Sequence, residues 1–313
     1  MLTRLYSKSS YYSIFLSYLY LTILIVFKTI ENSNRLDINI SLSEYLIYII
    51  LLLILFNLYN KWVKEQAKDD GISFSDRSII HLFLFPVIFS FLPSNIINLE
   101  WITAICFMNF AMLKFTSSLP EVRESTFVKI GILLSISTML VPYFCIYIFF
   151  LLTIRILPAD NNRIGKILAI GLPSLITWFL TLTIKTFSSI NFPFYNPIIQ
   201  NEKFYQLLTI DITSIMFIII TLVSLTTLVF INKRYLYILE RRTRYNRIAF
   251  FITHLALISF LKSTEALILL IYPVIYGLSL FSRTIKNKII LELGLITLLF
   301  FSVFNLYLSF ESI

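Results

Sequence analysis

The stretch FVKIGILLSISTMLVPYFCIYIFFLLTIRIL, Phe127 to Leu157, constrains this chain more than any other. It is apolar almost throughout, and Pro142 stands at its middle. A perpendicular membrane helix needs about 20 apolar residues. The run is therefore either one overlong span or two short ones folded back at the proline. Proline lacks a backbone donor and favours the first turn of a helix, which suits a reversal at Pro142. Each choice assigns everything downstream to opposite sides of a bilayer.

Charge decides between them. Only 14% of the 313 residues are charged and 58% are hydrophobic, against roughly 25% charged in soluble domains. A water-soluble fold is excluded. Unbroken apolar runs, without a period of two, exclude a membrane β-barrel and leave helices as the spanning solution. The expected fold is an all-α, polytopic transmembrane bundle, residues 1–313 forming a single integral membrane domain with no soluble domain. Eleven segments can be marked: Tyr11–Thr29, Glu44–Asn60, Ser78–Pro93, Leu99–Phe115, Phe127–Val141, Pro142–Ile156, Ile167–Thr186, Leu208–Ile231, Ile248–Leu261, Ala266–Ser282 and Ile289–Phe310. Several are short for a span, which packing against longer helices or local thinning of the bilayer tolerates.

Basic residues collect in cytoplasmic loops. With the N-terminus inside and a hairpin at Pro142, 21 of the 26 lysines and arginines fall inside, leaving Lys28, Arg35, Lys185, Lys203 and Lys262 outside. A single span over Phe127–Leu157 moves twelve of those inside residues, Arg155 among them, to the other side, and the asymmetry disappears. The reading is eleven spans, N-terminus cytoplasmic and C-terminus periplasmic, with Tyr143 and Tyr147 near the outer interface. Tyr11–Phe27 follows Arg4 and Lys8 as a signal peptide would. No small-residue cleavage site succeeds it, so it is expected to stay as the first span.

The net charge of +9 belongs to these loops and to anionic lipid, and no nucleic-acid partner is expected. Lys61–Arg77 mixes four basic with four acidic residues, and Gly71 is expected to end a short interfacial helix there. Asn232–Arg247 reads as an amphipathic, lipid-facing extension of the helix before it.

Ionisable groups within a membrane are costly and become site candidates. His254 sits mid-span without a second metal ligand at helical spacing; His81 lies nearer a cytoplasmic end. Cys106 and Cys145 read as buried small hydrophobes. No metal and no cofactor are expected. Glu292 is expected in the first turn of the last helix and Asp211 at the outer start of the eighth span, where the helix dipole favours a carboxylate. Ser263-Thr264-Glu265 reads as a cap and first turn beside Lys262. Glu31, Arg35, Asp37 and Glu44 cluster in a short first outer loop. An outward polar cavity would draw on Asp37, Asp211 and Glu265, and these with His254 are the candidate catalytic residues. There is no phosphate loop, nucleophile elbow or catalytic triad. Glycine is scarce, and Pro86, Pro93, Pro142, Pro173 and Pro273 are expected to kink or break the helices.

The C-terminal run KSTEALILLIYPVIYGLSLFSRTIKNKIILELGLI resembles the end of an inner-membrane family of Bacteroidota, domain-of-unknown-function family 6427. The matching positions are Ser263, Glu265, Pro273, Lys288 and Glu292. The lead MLTRLYSKSS before one span and the hairpin at Pro142 are similar too. This resemblance implies the bacterial inner (cytoplasmic) membrane and no particular activity. The basic loops and the hairpin broken at proline also resemble multi-span glycosyltransferases that use polyprenyl-phosphate sugars. Those carry an acidic residue in the first outer loop, a place that Asp37, and after it Glu31, could fill. The loop here is shorter, and no soluble outer domain follows.

Three functions stay open. The first is a non-enzymatic partner or scaffold subunit of a cell-envelope complex, touching membrane lipids and other envelope proteins. The second is a lipid-linked-sugar glycosyltransferase-like enzyme, or a degenerate relative of one, taking a polyprenyl-phosphate lipid with Asp37 as general base. The third is a transporter or lipid flippase with Glu265, Asp211 and His254 along its path; the absence of a visible inverted repeat counts against it.

Overall fold

A computed structural model describes residues 2, 6, 11–36, 41–69, 80–93, 98–117, 124–151, 163–187, 212–230, 252–256, 258, 265–285 and 287–311. Their regular structure is helical. The longer helices are α1 (Tyr11–Leu36), α2 (Leu42–Asp69), α3 (Ile80–Ser90), α4 (Leu99–Ser117), α5 (Glu124–Leu140), α6 (Cys145–Leu151), α7 (Arg163–Phe187), α8 (Ile212–Phe230), α9 (Ile271–Thr284) and α10 (Lys288–Glu311). Three helical stretches are long and apolar enough to cross a membrane: Tyr11–Asn34, Leu42–Lys64 and Lys288–Leu308. Shorter apolar helices cover Ile80–Ser90, Ser125–Leu140, Ile167–Thr181, Ile215–Thr227 and Ala266–Ser282.

The chain divides into two compact units, Met1–Ile97 with Ile199–Ile313, and Asn98–Ile198. In the first, α3 is the innermost element. Each of its eleven residues is buried, Pro86 and His81 included, and α1, α2, α9 and α10 pack around it while α8 packs on α9. The outer helices are patterned to match. Phe15, Leu19 and Ile23 on α1, and Leu46, Ile50 and Ile54 on α2, recur every four residues and are exposed. Ser13, Ser17, Lys28 and Glu31 of α1 are buried. Apolar side chains outward and polar ones inward is the order a hydrocarbon solvent imposes, because only a neighbouring helix can satisfy a polar group there.

The caps explain where helices begin. Ser41 and Glu44 form a capping box on α2: the Ser41 amide donates to Glu44 Oε2 at 2.8 Å, and the Glu44 amide to Ser41 Oγ at 3.4 Å. Asn98 Oδ1 accepts the amides of Glu100 and Trp101 at 3.0 and 3.2 Å and starts α4. Asn287 Oδ1 does the same for Ile289 at 2.9 Å at the head of α10.

The second unit contains the apolar run that divides at Pro142. Helix α5 stops at Leu140; Val141 is extended (φ −129°, ψ 94°), and a single 3-10 turn, Pro142–Phe144, leads into α6. The residue before a proline is pushed out of the helical region by the ring, which is why the break falls at Val141. Helix α6 contacts α5. The break at the proline is as expected; residues 152–162, the rest of that second segment, lie outside the described residues. Helices α4, α5 and α7 then associate through small and hydroxylated side chains. Ser137 Oγ donates to the Ala104 carbonyl at 2.7 Å, and the Trp178 indole to Thr138 Oγ1 at 3.0 Å. A β-carbon on Gly131 would stand 2.6 Å from the Ile170 carbonyl oxygen. Such close approaches drive association where apolar burial supplies no force.

Several expectations are corrected. Helix α1 continues to Leu36, so Glu31 and Arg35 are helical rather than in a loop, because no glycine or proline stops the helix after Thr29. The described residues after Asn60 continue α2 as far as Asp69 instead of starting a helix of their own; Gly71 lies outside the described residues, as does Asn232–Arg247. Glu292 sits one turn inside α10, which opens at Lys288, and accepts the Leu2 amide at 2.5 Å instead of capping the helix. Tyr147 is buried within the unit, set edge-on to Phe144 with centroids 5.5 Å apart. Cys106 is buried, but Cys145, at the first position of α6, is exposed. Pro273 falls in the first turn of α9, directly after the 3-10 helix Glu265–Leu270; there its missing amide costs no helical hydrogen bond.

Candidate functional site

Of the four carboxylate and imidazole candidates, the described residues bring none together. Asp37 and Asp211 lie outside them. Glu265 opens the 3-10 helix Glu265–Leu270, its side chain outside the description. His254 is buried at 1% exposure. Among the described residues no three of His, Cys, Asp and Glu converge as a metal site would require.

What the first unit does assemble is a polar cluster where α3 stops. The sequence ends this helix at Ser90-Phe91-Leu92-Pro93: proline cannot continue it, and Leu92 before it is driven out of the helical region. The last carbonyls of a helix have no intrahelical partners, and here Ser90, Phe91 and Leu92 are buried. Each acceptor is met in turn. The Val87 carbonyl takes Ser90 Oγ at 2.7 Å. Those of Ile88 and Phe89 take the amides of Phe91 and Leu92 at 3.1 and 3.3 Å, a 3-10 tightening of the last turn. The Ser90 carbonyl takes Asn305 Nδ2 of α10 at 2.5 Å. The Leu92 carbonyl takes the ammonium of Lys28 from α1.

Lys28 is 4% exposed, and its nitrogen lies 5.9 Å from the centre of the Phe89 ring. The negative end of the α3 dipole and the aromatic face both favour a cation there. A relay of hydroxyls joins the same place: Tyr20 OH and Ser302 Oγ are 2.5 Å apart, and Ser302 donates to Ser90 Oγ at 2.6 Å. One turn beyond Lys28, Glu31 and Asn32 are also buried.

At the start of α3 a second set forms. His81 and Asn60 Oδ1 share a hydrogen bond of 2.6 Å. Trp62 of α2 stacks on Tyr272 of α9 with centroids 3.8 Å apart and planes 9° from parallel, and Tyr59 and Tyr276 extend the stack on either side. The two ends of α3 are thus held differently, one by aromatic packing and one by charge.

Nothing singled out Lys28, Asn305, Ser302, Ser90 or Tyr20 in the sequence. The available signal was a lysine within LTILIVFKTIEN, with no helix breaker after it. No family model matches this chain, and neither a curated protein nor a solved structure does.

Proposed function

We propose that this chain is a multi-pass protein of the bacterial inner membrane, working as a non-enzymatic partner or scaffold subunit of a cell-envelope complex. One observation carries the reading. The buried polar side chains that converge at the end of α3 are engaged with backbone carbonyls and with one another, holding helices rather than lining a reaction site. The break at Val141 supports the hairpin and with it the eleven-span orientation, N-terminus in and C-terminus out. The resemblance to domain-of-unknown-function family 6427 is in keeping with that location. A tagged chain, extracted in mild detergent, should carry a partner in fixed ratio through affinity capture and size exclusion. A chain that emerges alone from several detergents argues against a scaffold.

A second reading is group transfer from a lipid-linked donor. It is favoured by Glu31, a carboxylate buried on α1 one turn from Lys28. Asp37 is the first candidate base and Glu31 the second. Full function in cells of both Asp37→Asn and Glu31→Gln variants would remove this reading. The transporter reading, through Glu265, Asp211 and His254, requires a Glu265→Gln variant to lose uptake.

A further inference from the structure

We propose that the carbonyl end of α3 is a cation site, filled in this chain by its own Lys28 ammonium. It would accept a small primary ammonium ion once that side chain is cut away. The inference goes beyond the scaffold reading and does not depend on it. With eleven residues, α3 is only about 16 Å long, roughly half the hydrocarbon thickness of a bilayer. Lys28 lies about 9 Å along α1 from Asn34, where the candidate span Tyr11–Asn34 ends. Lys28 therefore lies within the length of that candidate span, and the α3 end it meets is buried at Ser90, Phe91 and Leu92. In broken membrane helices such carbonyl ends coordinate monovalent cations.

Three features mark this end as built for positive charge. The Leu92 oxygen accepts the ammonium. The Phe89 ring lies 5.9 Å from the nitrogen. The dipole of α3 ends here with its negative pole. Asn305, a neutral donor, meets the adjacent Ser90 carbonyl instead, so the two acceptors are met by different kinds of group. The α1 backbone acts as a tether that keeps the cation in place at any salt concentration.

The test uses the purified full-length chain in detergent micelles and the Lys28→Ala variant, followed by thermal unfolding. The variant should melt lower by roughly 5 °C, a typical consequence of losing a buried charged hydrogen bond in a chain of this size. Methylammonium chloride should restore at least half of that loss. Tetramethylammonium chloride at equal ionic strength, which has no N–H to donate, should restore none, and the unaltered chain should respond to neither. A variant that melts with the parent, or one that methylammonium and tetramethylammonium affect alike, overturns the proposal. If Lys28→Ala does not accumulate, Lys28→Arg and Lys28→Gln decide. Arginine should keep the parental melting temperature and glutamine should lose it. Equal behaviour of the two overturns the assignment.

Discussion

A β-carbon placed on Gly277 of α9 would lie 2.7 Å from the β-carbon and the carbonyl oxygen of Ser224 on α8. The two helices meet here backbone to backbone. Ser224 Oγ adds bonds to Ile220 O at 2.8 Å and across the interface to Val274 O at 3.1 Å. Because the obstructing atoms are backbone or directly attached to it, they cannot swing aside. Gly277→Ala should therefore destabilise the chain by about 1–3 kcal/mol, the usual range for overpacking. Gly294 offers the control: nothing lies within 4 Å of its added β-carbon. Gly294→Ala should be neutral or stabilise by up to about 1 kcal/mol through helix propensity. Melting both variants in one detergent checks the contrast.

The Trp62–Tyr272 stack predicts a split between two substitutions at one position. Tyr272→Phe keeps the ring and should change stability by less than about 1.5 kcal/mol. Tyr272→Ala removes the partner of a tryptophan only 2% exposed, and should cost about 3–5 kcal/mol. Equal losses in thermal or denaturant unfolding would show that the hydroxyl, not the stacked ring, matters.

In the second unit, Thr138 Oγ1 accepts the Trp178 indole N–H and donates to the Ser135 carbonyl at 2.8 Å. Valine at 138 keeps the shape and removes both bonds. Thr138→Val should lower stability by about 0.6–1.7 kcal/mol, the span measured for interhelical hydrogen bonds in membranes. Trp178→Phe should lose a similar amount, and the double variant little more than either alone. Additive losses would mean the two side chains are not coupled.

The proposed eleven-span orientation has a topological consequence. Cys145 is exposed, so it and Cys106 are first replaced by serine and alanine. A single cysteine at Asn232 should then resist a membrane-impermeant maleimide added to intact cells with a permeabilised outer membrane, and react after lysis. Labelling in intact cells would place the basic turn outside and undo the orientation.

How much could be read in advance follows from the range of each interaction. The break at Pro142 was legible because a proline acts on its immediate neighbour, and Val141 is the residue it displaces. Glu44 was visible as a carboxylate, yet its role depends on Ser41 three residues before it, a local pairing that was open to sequence reasoning and went unread. Glu292 and Cys145 were misplaced by small errors in helix start and rotation. The α8–α9 and α5–α7 contacts were missed for a different reason: a glycine in an apolar run looks the same whether or not another backbone lies against it.

The sequence by itself determined the solvent and the element type. Hydropathy and the missing water in hydrocarbon act on each residue separately, so apolar runs must become helices wherever they lie. It also determined the helix breaks, since Pro93 and Pro142 restrict their own neighbours. Only the tertiary structure decided what Lys28 is for. Its acceptor at Leu92 is 64 residues away, on a helix whose buried end demands a donor. That pairing exists only after α1 and α3 have packed, because it joins groups that the chain itself keeps far apart.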